Sequence, residues 1–321
     1  TVQDEAEAFA ESVVADVESA KATWGLEELD RRCGGLQPGT LHIPLAETGN
    51  GKTMLALTAA RATADRGERV LIVPLEQGTR ELAIRLCAAS LGSKPFQMRK
   101  DLQDKRRQPS QFRGLISSKI VVEDQAETVA QIAAIVNEAR IAGDPFTLVI
   151  VDYLQLLDTM GLREVEGFGE NARQLKLLAR KQGCAVICPS QPRSLETPGA
   201  MPETRHLYGS RMIGNHSDSV VAMRVLREAG FDERGGMVDV NGSSCVAHTA
   251  ELQVCKARAG EVGKLGDVYW GRGTFILWDS KNAPWSHTKA ATAERNVRET
   301  GSHREGVTFD DDELERMSQV G

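Results

Sequence analysis

Short apolar runs alternating with stretches of helical period dominate this chain. Thr40–Leu45, Val70–Leu75, Ile120–Val122, Phe146–Val151 and Ala185–Cys188 are mostly apolar, the composition of strands buried on both faces. The intervening segments Met54–Ala60, Arg80–Leu91, Thr128–Ile141 and Asn171–Lys181 read as helices. Strands alternating with helices predict an α/β fold in which a mostly parallel sheet is covered by helices on both faces. Ser219–Leu226, Thr249–Lys256 and Gly273–Trp278 read as further strands with Gly-rich connections. Near the start, residues 4–23 have helical period, with Ala6, Phe9, Val13, Val17 and Ala20 on one stripe and acids on the other faces. That stripe must be buried on its own domain or on a neighbouring subunit. The connection Lys21–Gly25, read as leading away from the core, favours the neighbour.

Charge refines this picture. The 321 residues carry a net charge of −6, but residues 1–30 hold −8 and residues 291–321 hold −4, which leaves +6 on 31–290. A basic centre between acidic ends is compatible with a polyanionic partner. The stretch Gly92–Gly114, with Arg99, Lys100, Lys105, Arg106, Arg107 and Arg113, is expected to be an exposed helix or loop. With no run of eighteen apolar residues and an acidic N-terminus, neither a membrane span nor a signal or transit peptide is expected, and the cytoplasm is the expected compartment. Cys33, Cys87, Cys184, Cys188, Cys245 and Cys255 show no metal-ligand spacing and are expected to be free thiols. The acidic run Asp310–Glu313 beside Phe309 reads as a solvated tail or a docking peptide.

The chemistry centres on Ala46-Glu47-Thr48-Gly49-Asn50-Gly51-Lys52-Thr53, a phosphate-binding loop between a predicted strand and a predicted helix. Ala46 stands in the first position, where the consensus has Gly. Gly49 and Gly51 let backbone N–H groups face a phosphate, Lys52 reaches its outer oxygens, and the Thr53 hydroxyl suits Mg²⁺. ATP and Mg²⁺ are therefore the expected ligands. Asp152, at the end of an apolar strand, suits the metal; delivery of its charge into solvent there needs compensation. Glu76, at the end of the next strand after the loop, can polarise an attacking water. Gln191, after the strand 185–188, can sense the γ-phosphate. Lys256 and Arg258, alternate residues on an extended segment, aim together and have no neighbouring acid in sequence. Such a pair suits a phosphate across a subunit boundary.

With Gly35-Leu36-Gln37-Pro38, Pro74-Leu75-Glu76, Asp152-Tyr153-Leu154-Gln155-Leu156, Ser190-Gln191 and Lys256-Ala257-Arg258 beside the phosphate loop, the chain resembles the RecA-type motor domain of DnaB-type replicative helicases from about Trp24 to Asp279. The resemblance implies a RecA-like P-loop ATPase core that forms a homo-oligomer, a hexameric ring, around single-stranded DNA in replication. It assigns Lys52 and Thr53 to phosphate and Mg²⁺, Glu76 to the catalytic base, Asp152 to the metal, Gln191 to the γ-phosphate sensor, and Arg258 with Lys256 to a trans-acting finger pair. Tyr208-Gly209-Ser210-Arg211 stands where the family usually has Arg-Glu-Ser-Gly in a DNA-contacting loop, so Tyr208, Gly209 and Arg211 are candidate DNA contacts. The expected organisation is an acidic linker-type helix over 1–30, the ATPase domain over 31–285 and an acidic tail over 286–321. Gly230–Ser244 reads as an insertion, and a helicase loader or another replication protein is a candidate partner. A DNA-coating recombinase and a protein-remodelling ATPase are the alternatives.

Overall fold

The computed structural model describes residues 21–279, apart from 92–94, 113, 198, 209, 226–227, 232–236, 240–248, 266–267 and 271–276. Residues 4–20 of the expected first helix, Gly209, Cys245, most of Gly230–Ser244 and the tail 286–321 lie outside the described residues.

The apolar strands form where their composition requires. The strands are β1 (Leu41–Leu45), β2 (Val70–Pro74), β3 (Ile120–Val122), β4 (Leu148–Asp152), β5 (Ala185–Ile187) and β6 (Ser219–Val225), followed by β7 (Glu228–Phe231), β8 (Met237–Asp239), β9 (Thr249–Ala257), β10 (Gly263–Lys264), β11 (Val268–Trp270) and β12 (Leu277–Asp279). Among the described residues the main sheet runs β12-β11-β9-β6-β1-β5-β4-β2-β3, with β10 on β9. β1 to β6 pair in parallel, whereas β9 to β12 add antiparallel ladders at one side. Each central strand is buried on both faces because its side chains alternate between two cores. Val70, Ile72, Leu148 and Ile150 join Leu55 and Leu82 on one face, and Leu71, Val73, Val149 and Val151 join Ile132 and Leu175 on the other.

The helices are α1 (Glu27–Cys33), α2 (Lys52–Asp65), α3 (Thr79–Ser90), α4 (Pro95–Gln103), α5 (Val129–Ile141), α6 (Glu164–Gln182) and α7 (Ser210–His216). α5 opens with a capping box in which Thr128 Oγ1 accepts the Gln131 N–H at 3.2 Å and Gln131 Oε1 accepts the Thr128 N–H at 3.0 Å. α6 begins at Glu164, seven residues before the start that apolar period suggests. Gly167 and Gly169 weaken the helical signal there, yet both are packing sites: a Cβ would collide with Thr159 at the first and with Met212 at the second. α4 supplies the helix expected within Gly92–Gly114, and Met98 turns its inner side into a small core. That stretch is less free of acid partners than its composition suggests, since Arg99 pairs with Glu81 at 2.6 Å and Arg107 with Asp101 at 3.5 Å.

Lys21–Gly25 does not lead away from the core. Ala22 bridges Leu36, Trp24 is fully buried, and the Thr23 N–H donates to Thr63 Oγ1 at 3.1 Å. The Trp24 ring meets the buried His42 ring edge-on at 5.5 Å, which anchors the segment under β1. No described helix is long and apolar enough to cross a membrane.

Candidate active site

The phosphate loop leaves the end of β1 and enters α2 at Lys52. Gly51, the residue before the helix, has φ +86°, and a Cβ there would collide with Met223 and Met54. The left-handed backbone favours glycine, whereas the methionine ends that a Cβ would meet are flexible and can shift. The loop closes on itself, because Lys52 Nζ donates to the Ala46 carbonyl at 2.8 Å. Lys52 is 8% exposed, and burial lowers its pKa against the opposing pull of Asp152, Glu76 and Glu47. The side chain of Asn50 is engaged within the fold, its Oδ1 accepting the Val225 N–H at 3.3 Å.

Asp152 lies at the end of β4, opposite Pro74 of β2. Contrary to the expectation of delivery into solvent, it is 6% exposed. Oδ2 accepts the Thr53 hydroxyl at 2.7 Å, whereas Oδ1 is buried without a hydrogen-bond partner. Burial raises the Asp152 pKa, opposed by the Thr53 hydrogen bond. An orphaned carboxylate oxygen beside a hydroxyl and a buried ammonium fits a divalent cation held on phosphates. The described residues contain no cluster of three or more His, Cys, Asp or Glu side chains placed to hold a metal. The site therefore suits an ion whose other ligands are phosphate oxygens and water, as Mg²⁺ prefers.

Glu76, two residues past β2, is exposed, and its charge acts on Lys52, Asp152 and Tyr153. Gln191 reaches the same edge through β5. Ser190 bridges Leu45, and its N–H donates to the Pro44 carbonyl at 2.8 Å. The Gln155 side chain ties these segments together. Its Nε2 donates to Ser190 Oγ at 2.8 Å and to the Gln191 carbonyl at 3.3 Å, while its Oε1 accepts the Gln191 N–H at 3.2 Å. The Gln191 side chain lies near the Tyr153 hydroxyl, and the Tyr153 ring centroid lies 5.8 Å from Lys52 Nζ. Sequence reasoning gave Tyr153 and Gln155 no separate role; their place just after Asp152 was the available signal.

Lys256 and Arg258 lie at the opposite edge of the sheet. Ser219 pairs with His42 of β1 and with Ala257 of β9, and the Arg258 N–H donates to the Asp218 carbonyl, level with the start of β1. The phosphate loop begins five residues further along β1, at Ala46. At ~3.3 Å per residue the two edges are about 16 Å apart. Both cations reach the same place, the carboxyl end of α7, but they are not free of partners. Lys256 Nζ donates to the Gly214 carbonyl and, at 2.5 Å, to the Ser217 carbonyl. Arg258 donates to the Asn215 carbonyl and lies 3.4 Å from Asp218 Oδ1. Asp218 is forty residues away in sequence, so the folding of β6 beside β9 creates the acid partner.

Of the candidate DNA contacts, Arg211 is exposed on the first turn of α7. Tyr208 is half-buried, with its ring centroid 5.8 Å from Phe168 and 5.4 Å from the Arg193 guanidinium carbon.

Comparison with known proteins gives the same grouping. The family described as DnaB-like helicase C terminal domain matches residues 22–274. Replicative DNA helicase DnaB of Leifsonia xyli subsp. xyli is 32% identical over 229 residues, 67% of this chain and 49% of that protein. The protein of the same name from Pasteurella multocida is 27% identical over 80% of this chain and 54% of its own length. This chain thus spans about half the length of these relatives. A solved DnaB-like replicative helicase, described with its interactions with primase, superposes with TM-score 0.68 at 22% identity, over 84% of this chain and 65% of its own. A solved ATPase domain gives TM-score 0.70 at 22% identity, over 85% of this chain and 98% of its own. These two likenesses concern the fold, which is RecA-like. By the extent of the family match, this chain belongs to the DnaB-like helicase C terminal domain family.

Proposed function

We propose that this chain is the motor of a Mg²⁺-dependent ATP hydrolase that assembles as a ring, a hexamer, and moves along single-stranded DNA in replication. The observation that carries this reading is the separation of the site into two edges. The loop Ala46–Thr53 and Asp152 lie at one edge of the sheet, and the backbone of Arg258 lies level with the other, about 16 Å away along the strands. A chain that cannot bring Arg258 to its own phosphate is suited to offering it to a second copy. Repeated head to tail, that contact closes into a ring.

In this reading the loop amides and Lys52 hold the phosphates, while Thr53 and Asp152 hold the ion. Bound Mg²⁺ would neutralise charge on the phosphate oxygens. Glu76 orients and deprotonates water, Gln191 senses the γ-phosphate through the Tyr153 contact, and the neighbour's cations stabilise charge developing on the transferred group. Tyr208 and Arg211 are the proposed DNA contacts. The relatives are named replicative helicases, which supports DNA as the track and the cytoplasm as the setting. Strand displacement on forked DNA tests this reading: ATP-dependent release of one strand is expected, with turnover raised by single-stranded DNA. Turnover indifferent to DNA, with no strand released, would overturn it.

A further inference from the structure

Asp218 is the centre of the network at the far sheet edge. Oδ2 accepts Lys176 Nζ at 2.6 Å and the Leu41 N–H at 2.7 Å, and Oδ1 faces Arg258. Lys176 also donates to the Gly39 carbonyl at 2.6 Å. The carboxylate is thereby pinned to the start of β1 and to α6, with its side chain 15% exposed. Arg258 is 49% exposed. A guanidinium has five N–H donors in a rigid fork. Here one nitrogen faces Asp218 and another the Asn215 carbonyl, so the group is held from behind with donors left for a partner in front.

The same network meets α7 at its carboxyl end. The Gly214, Asn215 and Ser217 carbonyls at its carboxyl end receive Lys256 and Arg258. The candidate DNA contacts Tyr208 and Arg211 stand at its other end. α7 lies against α6 at a close approach where Gly169 meets Met212, and Ile213 is fully buried. A short element fixed in this way moves as a unit, so displacement at its DNA end reaches the carbonyls that hold the cations.

We propose that Asp218 is a positioning residue for Arg258, and that with α7 it links DNA contact to hydrolysis in the neighbouring subunit's site. This rests on the proposed trans role of Arg258. Holding a long side chain in advance removes part of the entropy that its ordering would otherwise cost when the phosphoryl group is transferred. Asp218 itself touches no substrate; it acts through Arg258.

The test is a cycle of Asp218→Asn, Arg258→Ala and the double variant, with ATP turnover measured with and without oligo-dT. Asp218→Asn is expected to lower kcat by about tenfold or more, the range for losing a charge-assisted hydrogen bond. KM for ATP should stay within about twofold, because the chain's own phosphate pocket lies at the other edge. The stimulation by oligo-dT should fall towards one, and the double variant should be no slower than Arg258→Ala alone. A structural defect would lower kcat further in the double variant. If thermal melting shows Asp218→Asn unfolded, Asp218→Glu, which keeps the charge and displaces it by one methylene, enters the same cycle with the same expectation. Normal, DNA-stimulated turnover by Asp218→Asn beside an inactive Arg258→Ala overturns the inference alone. Normal turnover by Arg258→Ala overturns the finger reading and this inference with it.

Discussion

Lys52 and Glu76 show how two charges at one sheet edge divide their work. Lys52 is buried and bonded within the loop, so Lys52→Ala is expected to abolish nucleotide binding. Glu76 is exposed and touches no loop atom by hydrogen bond among the described contacts, so Glu76→Gln should still bind ATP and fail to hydrolyse it. Fluorescent-nucleotide titration beside a turnover assay separates them; equal loss of binding in both would contradict the division. His42 carries a different lesson. The Thr40 hydroxyl donates to the Gln37 carbonyl, so His42 Nε2 carries the proton and donates to Thr40 Oγ1 at 2.7 Å, and Ser219 donates to Nδ1 at 2.7 Å. Burial lowers its pKa from 6.5 to about 4. The native state excludes a proton that the unfolded chain accepts. The stabilisation is therefore complete above pH 6.5 and lost as pH falls towards 4, on the order of 3 kcal/mol. Urea unfolding across that range should show the loss, and His42→Gln should remove that part of the pH dependence. The nucleotide-site candidates were legible because each follows an apolar strand or belongs to a motif. His42, Asp218 and Lys176 were not, since their partners are assembled by the fold over distances of up to 177 residues.

At the scale of elements, hydrophobic period located β1 to β6 and β9 within a few residues, and with them α2, α3 and α5, because strands buried on both faces leave a continuous apolar run; the short β7, β8, β10 and β11 and the short helices α1 and α7 left no such signal. The early part of α6 escaped for the opposite reason. Its glycines serve close packing and lower local propensity, so a contact made in three dimensions looks like a break in one. Gly167→Val is expected to destabilise by about 2–3 kcal/mol, since its added atoms meet Thr159. Chemical denaturation checks this; an unchanged midpoint would mean that Thr159 and its loop give way freely. The Lys256–Arg258 pair was legible as two side chains aimed one way. Its docking on α7 was not, because carbonyls at a helix end carry no signature in side-chain sequence.

The whole molecule is a sheet with two chemically unlike edges. The phosphate loop, Asp152 and Gln191 gather at one because β1, β4 and β5 are parallel. Lys256 and Arg258 arrive at the other because β9 runs antiparallel to β6. Cooperation between subunits follows from that topology if Arg258 serves the next molecule's phosphate, and Arg258→Ala should then lower turnover by about a thousandfold or more. Mixing variants tests this most directly. Subunits carrying Arg258→Ala are combined with subunits carrying Glu76→Gln, with exchange verified by labelling, beside a tethered pair that presents one intact interface. Turnover above that of either variant alone is the expected result, because an intact Glu76 then faces an intact Arg258. No recovery in either the mixture or the tethered pair would contradict action between subunits.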